Sequence, residues 1–317
     1  MPVTIYGVDH GYGRMKTAHC NFMAGVSASA VELPYTDRVL KYEDKWYEIG
    51  SRRLPYRTDK TQDDSYYILT LAALAQEMRH RGVHTAQVHL AAGVPLTRFG
   101  RERAAFQKYL QQKKEISFFY EGEHFHVKLV NVDMFAQGMA ALIYYQTTSK
   151  NKIEDNAILA DLGSGTMEVA YLQNRKPVND KSYSINCGMT NCYNKINEQL
   201  RRKFGKDVEE GIIDSIMLGQ PIRIKEEYRK VIEEGLHSYA EEIYAQLSDL
   251  RFNLDAIPVY WIGGGAILMQ RYGDLDQDMN IFVLEPSANA IGYELSAKAL
   301  QAKAKAAEKA AKEAGKK

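Results

Sequence analysis

The chain has 317 residues, 45% hydrophobic and 26% charged, values that exclude a disordered or fibrous class and favour about two globular domains. Its 41 basic and 40 acidic residues leave a formal net charge of +1, so bulk electrostatics gives no ground for direct binding of DNA or of an anionic membrane. Three cysteines without metal-ligand spacing, no leader-like start and no apolar run near the roughly 18 residues of a membrane span lead us to expect a cytoplasmic protein, neither exported nor membrane-spanning.

In chain order, residues 3–9 read as a strand running into the turn Asp9-His-Gly-Tyr-Gly-Arg-Met-Lys16, with a second β-like run over 15–20, so the turn is a hairpin bend and not a strand-to-helix phosphate loop. Residues 35–64 are polar, aromatic and turn-rich and are expected to form a small insertion whose role the sequence does not disclose. Over 65–81 the spacing of Tyr67, Ile68, Leu71, Leu74, Ala75 and Met78 predicts an amphipathic helix ending at Gly82, and 86–92 a strand. A helix is expected over 134–147. The strand and glycine turn then recur at 157–166, followed by a β-like run over 167–172. Further helices are expected over 190–204, capped by Thr190 or Asn191, and over 226–250, where Gly235 is a weak point. A buried strand at 259–262 leads through three glycines into an apolar helix, and 281–284 is another strand. The Ala, Lys and Glu stretch over 297–317 reads as a solvated helical tail or linker. Strands alternating with helices argue for α/β layers.

The turn from Asp9 to Lys16 brings together a carboxylate, two glycines whose bare backbone can approach a phosphate, and a lysine, the ingredients of a polyphosphate cradle. Asp161-Leu-Gly-Ser-Gly-Thr166 repeats the acid and the glycines and adds a hydroxyl. One such turn is also an ordinary hairpin; two at matching places in two halves are far less expected by chance. Gly263, Gly264 and Gly265 leave a buried strand and open a helix, where a flat base or a phosphate can lie against backbone at a helix N-terminus, although a tight strand-helix turn has the same appearance. Neither a GxGxxG dinucleotide fingerprint nor a Walker A sequence occurs.

With these motifs in this order the chain resembles the actin, Hsp70 and sugar-kinase superfamily: a first phosphate loop at 9–16, a connecting helix at 132–145, a second phosphate loop at 161–166, an adenosine motif at 262–266 and a second connector at 285–295. The length and the first connector, Phe135-Ala-Gln-Gly-Met-Ala-Ala, are most similar to the plasmid-segregating ParM/StbA and related Alp actins. The resemblance implies an α/β, actin-like ATPase fold, with two related ribonuclease-H-like domains around a nucleotide cleft. The first domain would span 1–150 plus 286–300, with its insertion about 35–64; the second would span 151–285; and 301–317 would be the tail.

The same resemblance implies roles residue by residue. Asp9 and Asp161 would hold Mg²⁺ through water. Gly11, Tyr12, Gly13, Gly163, Ser164, Gly165 and Thr166 would donate to phosphates, and Lys16 would neutralise them. Gln137 would orient the attacking water. Gly188, Thr190 and Asn191 match a Gly-x-Thr segment near the nucleotide, Gly263, Gly264 and Gly265 the adenosine motif, and Asn289 the second connector. Glu209, Glu210 and Asp214 are candidates for ribose and adenine contacts, with Glu210 and Asp214 carried forward. Two residues depart from the family pattern: Tyr12 stands where Ser or Thr is common, and Glu168 where an aspartate often follows the second loop. The implied function is an ATPase, with GTP the alternative nucleotide, that polymerises head to tail and moves plasmid DNA through a DNA-binding adaptor of the ParR type. A small-molecule kinase or a non-polymerising ATPase of the Hsp70 or pilus kind on the same fold remain open alternatives.

Overall fold

The computed structural model describes residues 2–314 apart from positions 56 and 58. The chain divides into two compact units, Met1–Asn151 with Pro286–Lys317, and Lys152–Glu285. The first unit runs β1 (Val3–His10), β2 (Arg14–Lys16), β3 (Asn21–Met23), β4 (Gly25–Ser29), β5 (Val39–Tyr42), β6 (Lys45–Arg53), α1 (Ser65–His80), β7 (Thr85–Val94), α2 (Phe99–Leu110), β8 (Glu115–Tyr120), β9 (Glu123–Ala136) and α3 (Met139–Ser149). Its strands form one sheet in the order β3-β2-β1-β7-β9-β8-β5-β6-β4. β1 pairs in parallel with β7 and antiparallel with β2. From Ile5 to His10 β1 is buried at every position, the pattern of a central strand covered on both faces.

The stretch 35–64 contributes β5 and β6, which join the sheet through β8 and β4. Helix α1 packs against β1, β4 and β6, so it is buried along its length from Tyr66 to Ala75 instead of showing the single apolar stripe that its spacing predicts; a helix covered on several sides is apolar all round. The helix expected from 134 begins only at Met139. Met134, Phe135 and Ala136 still pair with Ala92, Gly93 and Val94 of β7, and Gly138, at φ +78°, makes the break between strand and helix.

The second unit runs β10 (Asn156–Leu162), β11 (Met167–Gln173), β12 (Lys176–Ile185), α4 (Met189–Phe204), α5 (Glu210–Met217), α6 (Glu226–Ser248), β13 (Val259–Ile262), α7 (Ala266–Tyr272) and β14 (Asn280–Phe282). Its sheet order is β12-β11-β10-β13-β14, with β13 parallel to both β10 and β14. The central strand of each unit therefore has an antiparallel hairpin partner on one side and a parallel strand on the other. Gly235, read as a weak point of α6, sits where a Cβ would come within 2.7 Å of Ile196 on α4, so its bareness permits close helix packing.

The last helix, α8 (Ala288–Ala314), returns to the first unit. It is one continuous helix, so the second connector and the expected tail share it. Its docking depends on bare backbone: a Cβ on Gly7 would lie 2.0 Å from the carbonyl oxygen of Ala290, and one on Gly292 would lie 1.9 Å from that of Ala140 on α3. A buried charge network ties the same helix to β1. Glu294 accepts from the backbone N–H of Gly7 at 3.1 Å and from Arg81 at 2.6 Å. Arg81 also donates to Glu77 at 2.7 Å, and Glu77 takes the Thr17 hydroxyl at 2.6 Å, just beyond Lys16. Among the described residues no helix is long and apolar enough to cross a membrane.

Candidate functional site

In the first unit the paired residues His10 and Met15 close a four-residue loop, Gly11-Tyr12-Gly13-Arg14. In the second, Leu162 and Met167 close Gly163-Ser164-Gly165-Thr166. The two loops match position by position. One pair further out Asp9 stands opposite Lys16, and Asp161 opposite Glu168, so Glu168 holds the register position that the lysine holds in the first unit.

Asp9, 3% exposed, sits at the buried end of β1. It accepts a hydrogen bond from Gln137 Nε2 at 2.8 Å and has Lys16 Nζ at 3.9 Å. Gln137 lies in the turn between β9 and α3 and is anchored by its own N–H to the Val94 carbonyl at 3.0 Å. Asn289 does not reach this loop through its hydrogen bond; its side-chain oxygen accepts from the N–H of Gly138 at 2.9 Å and so steadies the residue after Gln137. The Tyr12 hydroxyl accepts from Arg98 at 3.0 Å, and the Lys60 ammonium lies 4.4 Å from its ring centroid while donating to the carbonyl of His10. The His10 ring meets Thr70 at 2.9 Å. Because the Thr70 hydroxyl donates to the Tyr66 carbonyl, His10 Nε2 is the donor to Thr70. Burial, helped by the charge of Lys60, lowers His10 to about 3 and keeps it neutral.

The second loop is shaped by the start of α4. The N–H groups of Gly188, Met189 and Thr190 donate to the carbonyls of Gly165, Gly163 and Ser164 at 3.1, 3.0 and 2.9 Å. In a trans peptide the C=O of one residue and the N–H of the next point in opposite directions. Pinning these three carbonyls toward α4 therefore turns the N–H groups of Ser164, Gly165 and Thr166 away from it, as a set of neighbouring donors fit for an anion. The helix start is spent on the loop, and the loop supplies the donors. Gly188, extended at φ −75° and ψ 176°, is the N-cap in place of Thr190 or Asn191. A Cβ there would come within 2.4 Å of Ser164 O. Thr190 uses its hydroxyl on Ser164 Oγ at 3.1 Å, and Asn191 uses its amide on the Asn186 carbonyl at 3.0 Å.

The three glycines after β13 divide their work. At Gly263, φ +83°, a Cβ would lie 2.5 Å from Asp161 Oδ1, and at Gly265 one would lie 2.3 Å from the Leu162 side chain, whereas Gly264 faces open space. Gly263 and Gly265 thus let the backbone lie close over β10, and Gly264 is the position left for a flat ligand. Glu210 lies in the first turn of α5, and Asp214 accepts from the Tyr193 hydroxyl at 2.6 Å. Thr166 turns its hydroxyl to Glu168 at 3.0 Å, and Ser184 does the same at 2.5 Å. Among the described residues no group of three or more His, Cys, Asp or Glu side chains is placed to hold a metal alone. Each unit carries one carboxylate beside its loop, Asp9 in the first and Asp161 in the second, the type of oxygen donor that suits Mg²⁺ with its preference for few carboxylates and retained water.

Sequence reasoning missed Lys60 and Arg98, which grip Tyr12 from 48 and 86 residues away; only the bulk of Tyr12 where a small hydroxyl is usual hinted that something holds it.

Two family models match the chain: actin-like proteins, N-terminal domain, over residues 7–139, and archaeal actin homologue MreB-like, C-terminal, over residues 159–272. Together they span both loops. No protein of curated function matches the chain in sequence. Among solved structures, the archaeal actin homologue Ta0583 superposes with a TM-score of 0.74 at 19% identity, covering 93% of this chain and 99% of its own. Apo ParM of pSK41 does so at 0.71 and 19%, covering 96% and 99%. The 15-stranded ParM filament from Clostridium botulinum gives 0.71 and 19%, covering 94% and 99%. Ta0583 has also been solved in complex with ADP. The fold is that of an actin-like protein.

Proposed function

Because the chain belongs to the actin-like proteins, with ParM and Alp proteins as its structural relatives, we propose that it binds and hydrolyses ATP with Mg²⁺ and assembles head to tail into filaments of its own copies. The observation that carries this reading is the second loop, where the first N–H groups of α4 hold three successive carbonyls and so leave the loop's own N–H groups for an anion, on a Gly-x-Gly-x hairpin that recurs in the first unit. Such a loop suits phosphate, since phosphoryl transfer asks the protein for positioning and charge neutralisation more than for covalent chemistry.

In this reading Asp9 and Asp161 hold Mg²⁺ through water, and the ion supplies neutralisation of phosphate charge when bound. Lys16 adds positive charge beside Asp9, and the N–H groups of the two loops orient the phosphates. Gln137 orients the attacking water, its amide already held by Asp9. Gly264 lies under the adenosine, with Glu210 and Asp214 toward ribose and base. A small-molecule kinase needs a free carboxylate as base after the second loop; Glu168, the acid there, is engaged by Thr166 and Ser184. Filament growth follows from a head-to-tail interface that does not close on itself. Plasmid segregation in the cytoplasm through a DNA-binding adaptor of the ParR type completes the proposal, in keeping with a net charge of +1 that offers DNA no strong field of its own.

The test is a titration with a fluorescent ATP analogue and Mg²⁺, competed with ATP and GTP. Wild type is expected to bind the analogue, and ATP to displace it more effectively than GTP. Gly188→Ala is expected to weaken binding by at least about tenfold, or ~1.4 kcal/mol, because its methyl must push back Ser164 O. A Gly188→Ala protein that binds as wild type does would sink the loop mechanism, and a wild type that binds neither nucleotide would sink the function.

A further inference from the structure

We propose that Lys60 is a positioning residue for the first phosphate loop, doing there with its side chain what backbone N–H groups do in the second; this rests on the nucleotide reading above. The two loops are closed by strand pairs in the same register, so His10 corresponds to Leu162, each the last paired residue before the glycines. The Leu162 carbonyl is held by the N–H of Gly265 at 3.0 Å. The His10 carbonyl is held by the Lys60 ammonium. Holding that carbonyl fixes the plane of the His10–Gly11 peptide, the first of the loop. The same ammonium lies over the ring of Tyr12, the loop's second residue, at 4.4 Å, and over Tyr66 of α1 at 5.4 Å. One cation thus braces both the entry to the loop and its bulkiest side chain, and the tyrosine that departs from the family pattern becomes the surface on which it rests.

Lysine is seldom buried without a purpose, and Lys60 is only 8% exposed. The groups facing it are Asp9 and His10 from β1, Tyr12 from the loop, Tyr66 from α1, Arg98 from the 3₁₀ turn before α2 and Glu102 from α2, with Asp59 beside it in the chain. Burial pulls Lys60 down to about 8, against the attraction of Asp9 and Glu102 and with the repulsion of Arg98. His10 is already neutral, and burial pushes the Tyr66 phenol upward. Between pH 7 and 9.5 the neutral amine that forms keeps an N–H but gives up the charge-assisted bond and the cation–π contact.

The sign for stability is the opposite of the sign for function. A lysine whose folded value lies below its unfolded 10.5 binds fewer protons folded than unfolded above pH 8, so the fold gains stability as pH rises from about 8 toward 10.5 while the brace is lost. A merely structural lysine would not give opposite trends. The experiment measures binding of the fluorescent ATP analogue with Mg²⁺ between pH 7 and 9.5 for wild type and Lys60→Met, together with urea midpoints and hydrogen-exchange protection of residues 10–14.

Wild-type affinity is expected to fall about tenfold across this range. Lys60→Met should be at least tenfold weaker at pH 7, flat with pH, unimpaired in its urea midpoint, and less protected at Gly11 and Gly13. Wild-type affinity and pH profile in Lys60→Met would overturn the proposal. Should wild type bind no nucleotide, the ATP reading fails and the exchange data decide: lost loop protection in Lys60→Met upholds the brace, and unchanged protection overturns it.

Discussion

Gln137→Ala is expected to slow phosphate release from ATP about a hundredfold while changing ATP affinity by no more than a few fold. The side chain is fixed at both ends: its amide nitrogen donates to Asp9 at 2.8 Å, its backbone N–H is tied to Val94, and the next residue is pinned by Asn289. A group held this firmly beside a buried carboxylate suits the orienting of a water molecule. Misplacing a reacting group by about an ångström costs on the order of 10²-fold. Glutamine brings no charge to the phosphates, so its loss leaves ground-state binding nearly unchanged. Gln137→Glu should be as slow, since it sets a second carboxylate against Asp9. Single-turnover phosphate release beside analogue titration separates the two effects. Equal losses in binding and in rate would show that Gln137 holds the loop and does not orient water.

Glu77→Leu should cost about 3–5 kcal/mol of unfolding free energy, because it removes one member of a buried charge network and strands the rest. Glu77 is fully buried, and it accepts from the Thr17 hydroxyl, the His19 backbone and ring, and Arg81. Arg81 passes the network on to Glu294 and so to Gly7 of β1. Burial alone would raise the Glu77 carboxyl; the hydrogen bonds from Thr17, His19 and Arg81 and the Arg81 charge outweigh it and hold the group below 4.5. Its contribution is therefore complete above pH 4.5 and is lost as pH falls through the lower folded value. His10, lowered to about 3 from 6.5, has its full contribution above pH 6.5 and loses it between 6.5 and about 3. Urea unfolding from pH 8 to 3 should show wild type weakening in both windows, and Glu77→Leu keeping the His10 slope while losing less than wild type below pH 4.5. A Glu77→Leu midpoint within about 1 kcal/mol of wild type would mean the network stabilises little.

The strand-turn-strand units were legible because β1 and β10 are apolar on both faces and end in Asp followed by paired glycines, signals carried within about ten residues. The start of α3 was not. Met134 and Phe135 suit a helix as well as a strand, and the choice is made by pairing with β7 and by the positive φ of Gly138. The cap of α4 was missed for a related reason. Thr190 and Asn191 are good capping residues, but the fold needs a residue without Cβ at 188, against Ser164 O, and that contact is set by the tertiary structure. Lys60 and Glu77 were invisible as partners of the first hairpin because Lys60 meets His10 across 50 residues of chain and Glu77 meets Thr17 across 60. A reading of local pattern finds which residues could touch phosphate and misses which residues hold them.

We propose that ATP drives this chain to assemble. High-speed sedimentation with and without ATP and Mg²⁺ tests this, with phosphate release and negative-stain microscopy in parallel, on the full chain and on a chain ending at Gln301, whose amide still reaches His89. Both versions are expected to pellet as filaments with ATP and Mg²⁺ and to stay in the supernatant without nucleotide, with phosphate release following assembly. Bound ATP with no sedimentation at any concentration would contradict the proposal.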